Sequence, residues 1–201
     1  MVETVAPEAG TKTEAILAAA VKLFTQFGFR RTSMDDIARD AGVAKGTLYL
    51  YFAGKAEVFR AMQQRNFDDA EARCDAAEAA GGPFRDRLTR VLDANYGWFH
   101  ANFGASEHLS ELGLTRLTVG ADIAAKSDQV YARRLERMFE TAASAGEINL
   151  AAGSLSIEDL TATMLSAARG AKLASGQPVS PEVYRQSLAR IAAVAAAAVR
   201  P

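Results

Sequence analysis

The residues of this 201-residue chain whose chemistry could matter are few and unevenly placed. Its two histidines, His100 and His108, lie eight apart with Gly104 between them, and His108-x-x-Glu111 is an isolated pair. Zinc takes three or four ligands, so no metal site is expected, and no other cofactor. Cys74 is the single cysteine; it forms no intrachain disulfide and reads as a small core residue in a reducing compartment. There is no paired carboxylate–histidine motif and no phosphate loop, which argues against an enzyme. Two concentrations remain. Thr32, Ser33, Thr47, Tyr49, Tyr51 and Lys55 are hydrogen-bond donors suited to phosphate oxygens. Tyr96, Trp98, Phe99, His100, Phe103 and His108 are the densest aromatic and histidine group. They read either as the wall of an apolar effector pocket or as core packing, with Tyr131, Met138, Phe139 and Met164 as further lining candidates.

The elements that must position these residues are helices. Alanine supplies 42 residues, and the five prolines leave 8–82 and 84–177 without one. With 49% hydrophobic and 23% charged residues the chain is a folded globular protein. Residues 1–10 read as a flexible arm. Ile16, Leu17, Ala20, Leu23, Phe24 and Phe27 mark the inner face of a first helix from Thr11 that stops at Gly28. Thr32-Ser33 cap a second helix that stops at Gly42, and Lys45–Phe52 is a third. Lys55 opens a longer helix to about Ala80, broken by Gly81-Gly82-Pro83. Further helices span 84–103, 121–145, 156–175 and 180 onward, with 105–120 ambiguous. The expectation is an all-α chain of about nine helices with no strand. The longest apolar run, Ile191–Val199, is far short of the ~20 residues that cross a bilayer, and the N-terminus lacks a basic stretch followed by an apolar one, so no signal peptide is expected. A cytoplasmic protein with no membrane partner is expected.

Within this frame the segment Thr32–Lys55 has a specific geometry. Ile37, Val43, Leu48 and Phe52 can meet in one small core, Ala38 lets two helices approach closely, and Gly42 can take the positive φ of a tight turn. That is a helix-turn-helix braced by the first helix; in this motif the second helix enters the DNA major groove. Net charge supports the reading once divided. The whole chain carries −1, yet Lys12, Lys22, Arg30, Arg31, Arg39, Lys45 and Lys55 stand against Glu14, Asp35, Asp36 and Asp40 between 11 and 56, a local +3 (7 − 4).

The run Thr32-x4-Ile37-Ala38-x3-Gly42-Val43-x3-Thr47-Leu48-Tyr49-x-Tyr51-Phe52-x2-Lys55, with Ile16, Ala19, Leu23, Phe24 and Gly28 before it, resembles the N-terminal domain of TetR-type (tetracycline-repressor-like) bacterial regulators. The resemblance implies a helix-turn-helix DNA-binding domain over 11–60 and a helical effector-binding and dimerisation domain over 61–201. It implies a homodimer that binds a palindromic operator in double-stranded DNA and is released by a small-molecule effector, more as a repressor than an activator. By position, Lys45, Gly46 and Leu50 would face bases, while Thr32, Thr47, Tyr49, Tyr51 and Lys55 would hold phosphates. Leu50 can read only apolar features such as a thymine methyl.

Towards the C-terminus, Leu160, Met164, Ala167, Ala168 and Ala171 form one small-residue face, and Tyr184, Leu188, Ile191 and Ala195 recur at helical spacing. Such faces suit a four-helix dimer interface, or packing of two helices against their own domain. Two other classes stay open: a helical small-molecule carrier or adaptor whose helix-turn-helix is only scaffold, and a helical metal-dependent enzyme.

Overall fold

The computed structural model describes residues 9–174 and 177–200. The arm expected over 1–10 lies almost wholly outside them, as does the Gly176 break. The described residues form ten α-helical segments: α1 (Ala9–Arg31), α2 (Met34–Asp40), α3 (Lys45–Tyr51), α4 (Lys55–Ala79), α5 (Phe84–Leu92), α6 (Trp98–Phe103), α7 (Leu109–Thr118), α8 (Ala121–Ser144), α9 (Ile157–Gly170) and α10 (Pro181–Ala198). A π-turn over Asp93–Gly97 joins α5 to α6 without a break, so the count of about nine helices holds. Among the described residues no helix is long and apolar enough to cross a membrane. The expectation of no strand fails in one place. Leu173 and Ala174 pair with Pro178 and Gln177 in a two-residue antiparallel ladder, because α9 ends at Gly170 rather than near Ser175.

The chain divides into two compact units. The first takes residues up to Asn66 together with Ser106–Ala124; the second takes Phe67–Ala105 and the remainder from Ala125. The ambiguous stretch 105–120 is thus largely α7, packed within the first unit against α1.

The core of the first unit is built from Ile16, Leu17, Ala20, Leu23 and Phe24 of α1, Ile37 and Ala38 of α2, Leu48 of α3 and Val58, Phe59 and Met62 of α4, with Phe52 and half-buried Val43. The four residues Ile37, Val43, Leu48 and Phe52 do share one core, and Gly42 has a φ of +66°. Phe27 differs from its expected place: it is 45% exposed. Gly28 breaks α1 at a φ of +81°, and the chain after it turns Phe29 inward instead. The Phe29 ring packs 5.5 Å from Phe24 and 5.3 Å from Phe59.

The second unit has its own core, including Leu88, Leu92, Leu135, Phe139, Met164, Tyr184 and Leu188, all essentially inaccessible to solvent. Arg134 of α8 is buried and reaches Glu71, Asp75 and Glu78 of α4 at 2.9, 2.8 and 2.7 Å. Beside this cluster, burial pushes the Cys74 thiol up to about 12. At pH 8 only about one such thiol in ten thousand is ionised, and the thiolate is the reactive form. A thiol reagent should therefore label Cys74 at once in denaturant but leave the native protein unlabelled over the same minutes. Immediate labelling of the native protein would show that the thiol is accessible.

Candidate nucleic-acid interface

The helix-turn-helix is set by local chemistry at both ends of α2. The Ser33 hydroxyl accepts from the Asp36 N–H, and the Asp36 carboxylate accepts from the Ser33 N–H, a reciprocal capping box. The Ser33 hydroxyl also donates to the Asp36 carboxylate at 2.6 Å, and this bond, with the one from the Ser33 N–H and that from Arg39, holds the Asp36 carboxyl below its ordinary range. Ser33 is therefore committed to the cap and is exposed there. Thr32 goes the other way: it is 3% exposed, and its hydroxyl donates to the Gly28 carbonyl at 2.8 Å, which removes its side chain from a phosphate role.

On α3 only Leu48 is buried. Lys45, Gly46, Tyr49 and Leu50 are exposed and Thr47 and Tyr51 half-buried, with Tyr51 against the core. Leu50 is 87% exposed; Tyr49 is 46% exposed while Tyr51 packs against the core, so the two tyrosines take different faces. At Gly46 a Cβ would meet nothing within 4 Å, so the helix backbone is open to close approach. Lys45 is not free: its Nζ lies 2.8 and 3.0 Å from the two Asp35 carboxylate oxygens, and the acid raises its pKa.

Lys55 departs furthest from its expected role. Its ammonium donates to the carbonyls of Phe29 (2.7 Å), Arg30 (3.2 Å) and Thr32 (2.8 Å), and it lies 4.6 Å from the centre of the Phe29 ring. Burial lowers its pKa. All three donors are spent on the corner that the Gly28 break creates. The same corner is held from its other side by α7, where Glu111 Oε1 accepts from the Arg30 N–H at 2.8 Å and Glu111 Oε2 lies 3.7 Å from His108 Nδ1. Sequence reading gave Asp35 and Glu111 no role at this surface. Nothing local marks a partner eighty-one residues away, whereas Asp35, ten residues before Lys45, was visible as an acid on the facing helix.

The remaining expected sites are redistributed. His108 belongs to the first unit, while Tyr96, Trp98, Phe99, His100 and Phe103 belong to the second, so the aromatic and histidine group is divided between the two units. Within the second unit Tyr96 packs edge-on to Tyr131 at 5.3 Å, and His100 lies 4.6 Å from Tyr184. The His100 Nε2–H donates to the Val179 carbonyl at 2.7 Å. Trp98 and Phe99 flank Phe103, and Phe99 is partly exposed. Tyr131, Met138, Phe139 and Met164 are buried core residues. Thr161 Oγ1 is buried with no hydrogen-bond partner among the described residues.

Most of the residues expected at a dimer interface also face inward. Leu160, Met164, Ala168, Tyr184, Leu188 and Ala195 are buried within the chain, and Ala167, Ala171 and Ile191 are half-buried. The Tyr184 hydroxyl donates to the Ala168 carbonyl at 2.8 Å, tying α10 to α9. The periodic face is thus the seam between these helices and their own core. Among the residues that α10 leaves exposed, Val183, Gln186, Ala189, Arg190, Val194 and Ala197 share one face.

With this geometry in place, likeness to known proteins is informative. Residues 16–62 match the family described as bacterial regulatory proteins, tetR family. The chain is 39% identical over 79 residues to the HTH-type transcriptional regulator YhgD of Bacillus subtilis, covering 39% of this chain and 41% of that protein. It is 32% identical over 133 residues to the HTH-type transcriptional repressor KstR of Mycolicibacterium smegmatis, covering 66% of this chain and 63% of the relative. The chain therefore spans less than two thirds of the length of these curated relatives. A solved TetR-like transcriptional regulator from Rhodococcus sp. RHA1 superposes with a TM-score of 0.62 at 25% identity over 94% of this chain and 96% of that one. A matched helix-turn-helix, curated regulator relatives and a shared whole-chain architecture agree: residues 16–62 are a DNA-binding domain of the tetR family of bacterial regulatory proteins, in a chain whose fold is that of a TetR-like regulator.

Proposed function

We propose that this protein is a dimeric, ligand-responsive transcriptional repressor that acts in the cytoplasm. Its first unit reads operator DNA, and its second binds a small, partly apolar effector and pairs the two chains. The observation that carries the reading is the division of α3: Leu48 alone is buried, while Lys45, Gly46, Tyr49 and Leu50 remain exposed at the end of the helix-turn-helix that enters a major groove. That the relative KstR is a transcriptional repressor supports the sign of regulation. For the effector, support comes from the aromatic groups around Tyr96, Tyr131 and His100 and from the buried, unpaired Thr161 hydroxyl. For pairing, the face of α10 that carries Val183, Ala189, Val194 and Ala197 replaces the buried seam.

The test is binding to a labelled duplex taken from the upstream region of the protein's own coding sequence, across a salt series. The logarithm of the affinity should fall with the logarithm of salt at about −0.9 per phosphate neutralised. Lys45→Ala should weaken binding to that duplex about 10-fold or more and to a scrambled one less, since a base contact is worth ~1–3 kcal/mol of discrimination. Equal losses on both duplexes would remove Lys45 from base reading. Absence of any salt-dependent binding would favour a carrier whose helix-turn-helix is scaffold.

A further inference from the structure

The acids of α2 are not equivalent. Asp36 closes the capping box and pairs with Arg39 in the same helix, and Asp40 pairs with Lys22 of α1. Asp35 alone reaches across to α3, where both of its oxygens sit on Lys45 Nζ. It takes no part in the cap. Both side chains of this pair are well exposed, and an exposed pair contributes little to folding. The two helices are already joined through Ile37, Ala38 and Leu48 in the core. The pair therefore has a consequence for recognition rather than for stability: it occupies the ammonium at the first residue of α3, the end of a recognition helix that contacts base edges.

Contact of Lys45 with DNA is then an exchange. The Asp35 bond must break, and an unpaired carboxylate is left close to a polyanion. A lone phosphate oxygen replaces one anionic partner by another and leaves that repulsion uncompensated. The paired acceptors of a base edge, such as guanine O6 and N7, add hydrogen bonds that only the correct sequence offers. We propose that Asp35 is a specificity-determining residue of the DNA-reading surface: its carboxylate withholds Lys45 from phosphates on non-specific DNA and yields it to an acceptor-rich base edge. The inference rests on the DNA-binding reading above and assigns a role to a residue outside the donor set.

Salt dependence makes the exchange measurable. A lysine neutralised within the protein releases no counterion from DNA, whereas a free one does. The experiment uses the full chain with two duplexes of equal length, one selected by the wild-type protein from a random pool and one scrambled, between about 50 and 200 mM salt. On the scrambled duplex Asp35→Asn should bind about 3- to 10-fold more tightly at low salt, with a log–log slope steeper by about 0.9. The gain on the selected duplex should be smaller, so the specificity ratio falls. In a Lys45→Ala background the same substitution should leave the slope nearly unchanged, because only general repulsion by the carboxylate remains. Asp35→Glu, which keeps the charge, should restore the wild-type slope.

An equal effect of Asp35→Asn in both backgrounds would overturn the proposal by reducing the acid to general repulsion. So would a loss confined to the selected duplex, which would make Asp35 itself a base reader. Asp35→Glu behaving like Asp35→Asn would overturn it as well. If the wild-type protein selects no duplex and binds none at low salt, the DNA-binding reading itself fails, a result distinct from all of these.

Discussion

Replacing Gly28 by alanine is expected to destabilise the first unit by about 3 kcal/mol and to abolish DNA binding near its reduced melting temperature. Two costs combine. The backbone there has φ +81° and ψ 164°, a region essentially confined to glycine, where a side chain costs roughly 1–3 kcal/mol. A Cβ would also stand 2.4 Å from Glu111 Oε2 and 3.1 Å from His108 Nδ1. Glu111 must then retreat, and the exposed Arg30 N–H that donates to it exchanges that partner for water, which adds about 0.5–1.5 kcal/mol. The damage would spread to function because this corner feeds directly into Ser33, the cap of α2. Phe29, just past the break, anchors it in the aromatic trio with Phe24 and Phe59. Urea denaturation followed by circular dichroism reads the effect. Made in a Glu111→Ala background, the same substitution should cost only the backbone strain, since the clash is gone. A Gly28→Ala protein within about 0.5 kcal/mol of wild type would show that the corner is not held as described.

That corner also shows where sequence reading stops. Gly28 was legible as a helix stop, and Thr32 and Lys55 as polar residues near helix ends. A lysine opening a helix reads as an exposed cation because nothing nearby in sequence claims it. Its three carbonyl acceptors lie twenty-three to twenty-six residues away and exist only because Gly28 breaks α1. The helix-turn-helix was legible because its determinants are local: one capping box, one positive-φ glycine, and four apolar residues whose spacing brings them into one core.

The second unit was legible in class and not in detail, for a related reason. Helical spacing at Leu160, Met164, Tyr184 and Leu188 reveals an apolar face but not what covers it. A seam with one's own core and a seam with a second chain have the same period. The Tyr96–His108 group was opaque for another reason: neighbours in sequence are assigned to different units where the chain leaves the second at Ala105 and enters the first at Ser106.

Two leucines on α3 give the sharpest separation of folding from recognition. Positions two apart on a helix differ by about 200°, so Leu48 and Leu50 point to opposite sides. Leu48 is fully buried among Ile37, Phe52 and the α1 residues, whereas Leu50 is 87% exposed. Leu48→Ala should cost about 2–5 kcal/mol through lost burial and the cavity left behind. In a core as small as that of the first unit this is enough to lose binding to every duplex together, with a matching drop in the urea midpoint. Leu50→Ala should stay within about 0.5 kcal/mol of wild type in the same denaturation experiment. Its effect should appear only as base preference. With an operator selected by the wild-type protein, uracil in place of the contacted thymine removes a single methyl and should weaken wild-type binding. It should leave the Leu50→Ala protein indifferent, because no apolar partner remains for the methyl to lose. If uracil weakens both proteins equally, Leu50 does not meet that methyl; if Leu50→Ala lowers the urea midpoint as Leu48→Ala does, the exposed face of α3 is part of the core.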